Sequence, residues 1–266
     1  MSWLQAVARL RATRTPGVLV TVTATRGHAP REAGAKMVVA ATEQWGSIGG
    51  GNLEETALGQ ARAMLTEGTL EPSSREFNLS DKARTEHGRQ CCGGEVTVLF
   101  EPLPVVPAVA IFGMGHVGLE LARILARHDL DLHLVDSRAE RVSEDALASL
   151  ADAVAVVHAE HAPLPEVALG TLPAGCTVLI LTHDHAEDFA LCDTVLRSGH
   201  LGHVGLIGSA AKWSRFRQGL LAEGHSEDQI ARIHSPIGDP TFGGKEPASI
   251  ALAVAAEILG RVRVAP

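Results

Sequence analysis

The run Ile111-Phe112-Gly113-Met114-Gly115-His116-Val117-Gly118 has the spacing GxGxxG. In that pattern the first glycine makes a tight turn and the second lets a phosphate approach the backbone. The third lets a helix pack closely on the preceding strand. Asp136 follows Gly118 by 18 residues, where an acid that binds a ribose hydroxyl belongs. Gly113, Gly115, Gly118 and Asp136 are therefore candidates for binding a nucleotide or phosphate, with a turn kept only for packing as the alternative.

A second run, Gln90-Cys91-Cys92-Gly93-Gly94, places adjacent thiols before two glycines. Nearby glycine amides lower a thiol pKa, which favours a nucleophile or a soft-metal ligand at Cys91 or Cys92. Two compact apolar residues, one on each face of a strand, fit the same pair. A third run, Thr182-His183-Asp184-His185, is expected at the carboxyl end of a parallel strand, where ligands of open α/β sheets bind. His183 and Asp184 are cleft candidates. His-x-His invites a metal reading, and a helix cap at Thr182 or Asp184 is the plainer one. A fourth run is Gly49-Gly50-Gly51-Asn52-Leu53-Glu54-Glu55. Asn52 is the expected N-cap, with Glu55 completing a capping-box pattern, so the glycine turn would face unpaired amides and the positive end of a helix dipole. Gly50, Gly51 and Glu54 are candidates there. Lys212, Arg215 and Arg217, after the small-residue turn Ile207-Gly208-Ser209, would meet an anion or form a solvated basic face. Cys176 and Cys192 read as core.

The elements that must position these residues fall into two groups. The first has a helix over 3–11, strands over 18–25 and 36–41, and a helix from Asn52 to about Glu67. A short strand over 76–79 and a strand over 95–101 follow. Pro102, Pro104 and Pro107 then resist both helix and ladder and mark a boundary. From Ala108 strands alternate with helices. Strands are expected near 108–112, 132–136, 153–157, 177–182 and 203–207. Helices are expected near 116–128, 140–150, 185–198, 210–223 and 246–260. That alternation means a parallel sheet covered on both faces. The fold class is α/β, with a small N-terminal α+β domain over 1–104 and a Rossmann-like parallel-sheet domain over 105–266.

Composition narrows the function. The 266 residues carry 23 Lys+Arg against 31 Asp+Glu, a net charge of −8, which argues against a nucleic-acid or anionic-membrane partner. Tyr is absent and aromatics are 3%, so a base-stacking sheet is not expected. Four cysteines do not make a disulfide scaffold. The first twenty residues do not read as a signal peptide and no apolar stretch reaches membrane-spanning length, so a cytoplasmic chain is the expectation.

Taken together and in this order, the runs resemble the xanthine dehydrogenase accessory proteins of the XdhC/CoxI family. The resemblance rests on Ala29-Pro30-Arg31, Gly34-Ala35-Lys36-Met37, Gly49-Gly50-Gly51 with Leu53-Glu54, and Gln90-Cys91-Cys92-Gly93-Gly94. It continues through the Gly113–Gly118 turn, Thr182-His183-Asp184-His185, Leu206-Ile207-Gly208-Ser209, Pro236-Ile237-Gly238 and Gly244-Lys245-Glu246-Pro247. It implies a molybdenum-cofactor chaperone that holds molybdopterin-molybdenum during sulfuration. Such a chaperone works with a cysteine desulfurase and the proteins of molybdenum cofactor biosynthesis, and inserts the cofactor into apo xanthine dehydrogenase. A homodimer is common among carriers of this kind. In combination with the residue chemistry, a terminal phosphate suits the Gly113–Gly118 turn, and molybdenum or its sulfur suits a thiolate, with Cys92 favoured as the metal ligand.

Asp136 has no partner in plain molybdopterin, so either a nucleotide binds at the Rossmann turn or this residue has another role. Three other functions remain open: an NAD(P)-dependent oxidoreductase with His183 or His185 moving the proton, a thiol-dependent sulfurtransferase acting on the cofactor, and an adaptor without a cofactor.

Overall fold

The computed structural model describes residues 1–79 and 94–264. The chain forms two compact units, Met1–Val106 and Pro107–Ala265.

The first unit opens with helix α1 (Trp3–Ala12), capped by a reciprocal Ser2–Gln5 box. Strands β1 (Gly17–Arg26), β2 (Lys36–Val39) and β3 (Gln44–Gly46) lead to helix α2 (Gly51–Glu67), and strands β4 (Ser73–Asn78) and β5 (Glu95–Leu103) complete it. The sheet is antiparallel in the order β3-β2-β1-β5-β4. Alternation along the strands gives it two apolar faces. Val18, Val20, Met37, Val98 and Phe100 pack with Leu53, Ala57, Leu58 and Ala61 of α2, whereas Val38 packs with Ala6 and Leu10 of α1.

The second unit begins with β6 (Ala108–Phe112), α3 (His116–Leu125), β7 (Asp131–Asp136) and β8 (Val156–His161). It continues with α4 (Pro165–Ala168), β9 (Thr177–Ile180), α5 (His185–Arg197), β10 (Val204–Leu206) and α6 (Ala210–Ala222). The short α7 (Glu227–Ile230), β11 (Ile233–His234) and the long α8 (Pro247–Val264) close it. All strand pairs are parallel, in the order β11-β10-β9-β6-β7-β8. That is the doubly wound order, with the switch point between β6 and β9. Both faces of β6 are buried. Val109 and Ile111 pack with α3 and α8 through Leu121, Leu125, Val254 and Ile258. Ala110 and Phe112 pack with α5 and α6 through Leu191, Val195, Phe216 and Leu220. The chain is α/β, as its alternation implies.

Three expected elements differ. The helix expected over 140–150 is replaced by two short 3₁₀ turns, Ala139–Arg141 and Ala148–Leu150. Ser143 competes with the helix ladder there, its hydroxyl donating to Glu140 O (3.1 Å) and accepting from Ala146 N (3.3 Å). The strand expected over 153–157 starts later, at Val156, because the amides of Val154 and Ala155 both bind Ala126 O at the end of α3 (2.8 and 3.1 Å). Helix α2 starts at Gly51, so Asn52 lies inside it and is not the cap.

Candidate functional site

The glycine turn after β6 sits at the switch point, and its three glycines have different surroundings. Gly113 has φ +104°, and a Cβ there would lie 2.4 Å from Leu181 O, at the end of β9. A Cβ on Gly118 would lie 2.0 Å from Gly113 O. These two glycines let the turn, α3 and β9 close on one another. Gly115, the N-cap of α3, faces open space, and no side chain caps the helix there. The turn therefore offers backbone amides and a positive dipole end at Gly115.

Asp136, at the end of β7, is 2% exposed. Its Oδ2 accepts from Met114 N (2.7 Å) and Arg138 Nη2 (3.0 Å), and its Oδ1 from Arg138 N and Nε (both 2.9 Å). Four accepted hydrogen bonds fill a carboxylate's complement. Burial pushes the Asp136 pKa up. The Arg138 guanidinium and the amides of Arg138 and Met114 outweigh burial and hold it below the usual carboxylate range. In this arrangement Asp136 braces the glycine turn through Met114.

The run after β9 caps and anchors. Asp184 is the N-cap of α5, with Oδ1 accepting from Ala186 N (2.6 Å) and Glu187 N (3.2 Å), and those two amides lower its pKa. His183 is exposed, 3.8 Å from Glu187. Among the described residues no group of three or more His, Cys, Asp or Glu is arranged to hold a metal. Behind this run lies a buried network that the motifs did not indicate. Asp188 accepts from Thr182 Oγ1 (2.7 Å) and Thr182 N (3.1 Å), and pairs with Lys212, whose Nζ also donates to Ile207 O (3.0 Å). Lys212 is thus folded back over Gly208 and committed to Asp188, not presented to an anion, and Arg217 pairs with Glu227. The signal was weak because the two charges lie 24 residues apart and each reads locally as an ordinary helix charge.

In the first unit Glu54 holds the turn before α2. Its Oε2 accepts from Ser47 Oγ (2.5 Å), Gly50 N (3.1 Å) and Ile48 N (3.3 Å). Gly50 and Gly51 carry φ of +75° and +60°, so L side chains are strained there, and both face open space. Gly50 is the N-cap of α2 with no side-chain cap bond. Two further loops come to this turn and its neighbourhood. A Cβ on Gly49 would lie 2.5 Å from Pro30 Cγ, and one on Gly94 would lie 2.4 Å from His28 O and 2.6 Å from Arg26 O. Gly94 is also the acceptor for Leu79 N (2.8 Å). Cys91 and Cys92 lie outside the described residues. The other two cysteines, Cys176 and Cys192, are buried, and burial pushes the Cys192 thiol up to about 12.

Fold and site thus define a two-unit α/β protein whose second unit is of Rossmann type with an open glycine turn. Residues 109–258 match the family described as the XdhC Rossmann domain, and residues 10–73 match the XdhC and CoxI family. The chain belongs to the XdhC family. A curated relative is protein YqeB of Escherichia coli (strain K12), described as uncharacterized, 27% identical over 262 residues that make up 95% of this chain and 44% of YqeB. The chain therefore spans less than half the length of that relative. A solved structure described as a xanthine dehydrogenase from Bacillus halodurans is 18% identical, with a TM-score of 0.49, covering 100% of this chain and 97% of that one. The E. coli tRNA N6-threonylcarbamoyladenosine dehydratase is 13% identical, with a TM-score of 0.43, covering 59% of this chain and 86% of that one.

Proposed function

We propose that this chain is a maturation factor that carries molybdopterin-molybdenum as cargo, holds it during sulfuration and delivers it to apo xanthine dehydrogenase. Membership of the XdhC family supports the maturation role. The observation that carries the cargo reading is the loop cluster of the first unit. There the 26–30 loop meets both the glycine turn at the N-terminus of α2 and Gly94, the residue that ends the Cys91-Cys92-Gly93-Gly94 run. The helix end suits the phosphate of such a cargo, and Gly94, which follows the Cys91-Cys92-Gly93 run in sequence, packs on the same 26–30 loop.

In this reading the glycines at 50 and 51 leave room for an anionic group at the first amides of α2 from Gly51 onward, Glu54 holds the Gly50 amide and so positions the turn, and a Cys92 thiolate meets the molybdenum or its sulfur. Gly115 gives the Rossmann turn a second open anion site, with Asp136 as its brace. The full set of hydrogen bonds at Asp136 favours this reading over an NAD(P)-dependent oxidoreductase, because a ribose hydroxyl would have to displace Arg138 or Met114 N. A cysteine desulfurase would supply the sulfur. His183 and Asp184 keep only a supporting role, since Asp184 is engaged as a cap.

The test is reconstitution. The chain is loaded with molybdopterin-molybdenum, treated with a cysteine desulfurase and its cysteine substrate, re-isolated and mixed with apo xanthine dehydrogenase. Activation of the dehydrogenase by the wild-type chain, with a Cys91→Ala/Cys92→Ala chain at least tenfold weaker, is the expected result. Equal activation by both chains would remove the thiols from the account. Turnover of a small alcohol with bound nicotinamide, and no activation, would replace the carrier with an oxidoreductase.

A further inference from the structure

Arg31 follows Pro30 in the loop between β1 and β2. Two backbone bonds close the base of that loop, Val22 N to Ala35 O (2.9 Å) and Gly34 N to Val22 O (2.7 Å). Its middle packs on the glycine turn before α2. Gly49 has φ +135°, and a Cβ there would lie 2.5 Å from Pro30 Cγ, 2.9 Å from Pro30 Cβ and 3.5 Å from Arg31 Cγ. A side chain at position 49 would push both residues away, so the approach of this loop requires glycine. The stem of Arg31 is thereby set against the turn.

The head of Arg31 is uncommitted. Arg9, Arg123, Arg127, Arg138, Arg197 and Arg217 each pair with a carboxylate. Arg31 is exposed, and among the described residues its guanidinium has no ion pair and no hydrogen bond. The carboxylate of the same turn, Glu54, directs Oε2 to Ser47 Oγ, Ile48 N and Gly50 N, and makes no pair with Arg31. Its charge is thus met by three donors of the turn, and the charge of Arg31 is left for something else. A guanidinium with no partner offers a planar fork of donors that matches two oxygens of a phosphate, and such charge-assisted pairs are the strong ones.

We propose that Arg31 reads a phosphate monoester at this turn. Past Cγ the side chain continues through Cδ and Nε to the guanidinium, while Gly50 and Gly51 follow Gly49 at about 3.8 Å per residue. The fork therefore reaches the open space that both glycines face, and closes on the phosphate with two parallel N–H···O bonds. The source of that phosphate rests on the carrier reading: it is the terminal phosphate of the cargo.

The test is site-resolved arginine labelling. The full chain is treated with phenylglyoxal, and the adducts on Arg31 and on Arg62, an exposed arginine of α2, are followed by mass spectrometry. Millimolar inorganic phosphate should slow the Arg31 adduct severalfold, acetate at matched ionic strength should not, and neither should alter Arg62. Molybdopterin-molybdenum should protect Arg31 in the same way. In equilibrium ultrafiltration Arg31→Gln should weaken retention of molybdopterin-molybdenum about tenfold. Arg31→Lys, which keeps the charge but loses the fork, should weaken it less, and Arg62→Gln should leave it unchanged. Melting temperatures equal to wild type separate the loss from one of folding. An Arg31 adduct that forms at the same rate with and without phosphate, or equal retention of molybdopterin by wild type and Arg31→Gln, overturns the proposal. A wild-type chain that retains no molybdopterin while phosphate protects Arg31 overturns the carrier reading alone, and supports Arg31 as the reader of a different phosphate monoester.

Discussion

Single residues divide here into those that hold the site in shape and those left open to a ligand. Asp136 belongs to the first kind. Its folded pKa lies below the unfolded value of about 3.9. Its stabilisation is therefore present above that pH and is lost as pH falls through the lowered folded value. Asp136→Asn should cost roughly 2–3 kcal/mol at pH 7, the scale of charged hydrogen bonds to a buried group. In urea titrations the gap to wild type should close as the pH is taken below about 4. A gap that widens in acid would mean that the carboxylate is not the stabilising species. Gly118 and Gly115 make a paired case. Gly118→Ala forces a Cβ onto Gly113 O and should lower stability by about 1–3 kcal/mol. Gly115→Ala meets open space at an ordinary φ of −72°, so it should leave the melting temperature within a degree or two while weakening any anion bound at the turn. Differential scanning fluorimetry with and without added phosphate ligand separates the two effects. Equal loss of stability in both variants would contradict this division.

At the scale of elements, local pattern and distant partners contribute unequally. The GxGxxG turn, the strands β6, β7, β9 and β10 and the helices over 116–125, 185–197, 210–222 and 247–264 were legible because both signals lie within a few residues, apolar period and turn chemistry. The start of α2 was not. Asn52 is a good cap by type, but Glu54 takes the amides of Ile48 and Gly50, and glycines at positive φ carry the chain into the helix ahead of Asn52. The 140–150 stretch has helical composition, yet the Ser143 hydroxyl diverts the backbone. The buried bridge from Thr182 through Asp188 to Lys212 and Ile207 joins the ends of β9 and β10 to α5 and α6, and nothing local announces it. Lys212→Met would strand Asp188, 1% exposed at its side chain, and should cost roughly 3–5 kcal/mol. Adding Asp188→Asn should recover part of that cost, because the amide still accepts from Thr182 without a charge. A double variant no more stable than the single one would show that the ion pair is not what Lys212→Met breaks.

The whole molecule combines two units, each with an uncapped helix N-terminus behind a glycine turn: α2 in the first and α3 in the second. Family and fold class were legible from the runs taken together and in order, several of which, such as Gly49–Gly51 and Gly113–Gly118, mark turns or close backbone approaches. The thiol pair was legible as chemistry, but two adjacent cysteines do not reveal their own surroundings, and Cys91 and Cys92 lie outside the described residues. The carrier account rests on those thiols acting with the glycine turns. Equilibrium ultrafiltration with molybdopterin-molybdenum tests it most directly, comparing the wild-type chain with Cys91→Ala/Cys92→Ala and running NAD(P) in parallel. The account predicts stoichiometric retention of molybdopterin by the wild-type chain, a loss of at least tenfold in affinity in the double variant, and no retention of NAD(P). Retention of NAD(P) without molybdopterin, or molybdopterin bound equally by both chains, would contradict it.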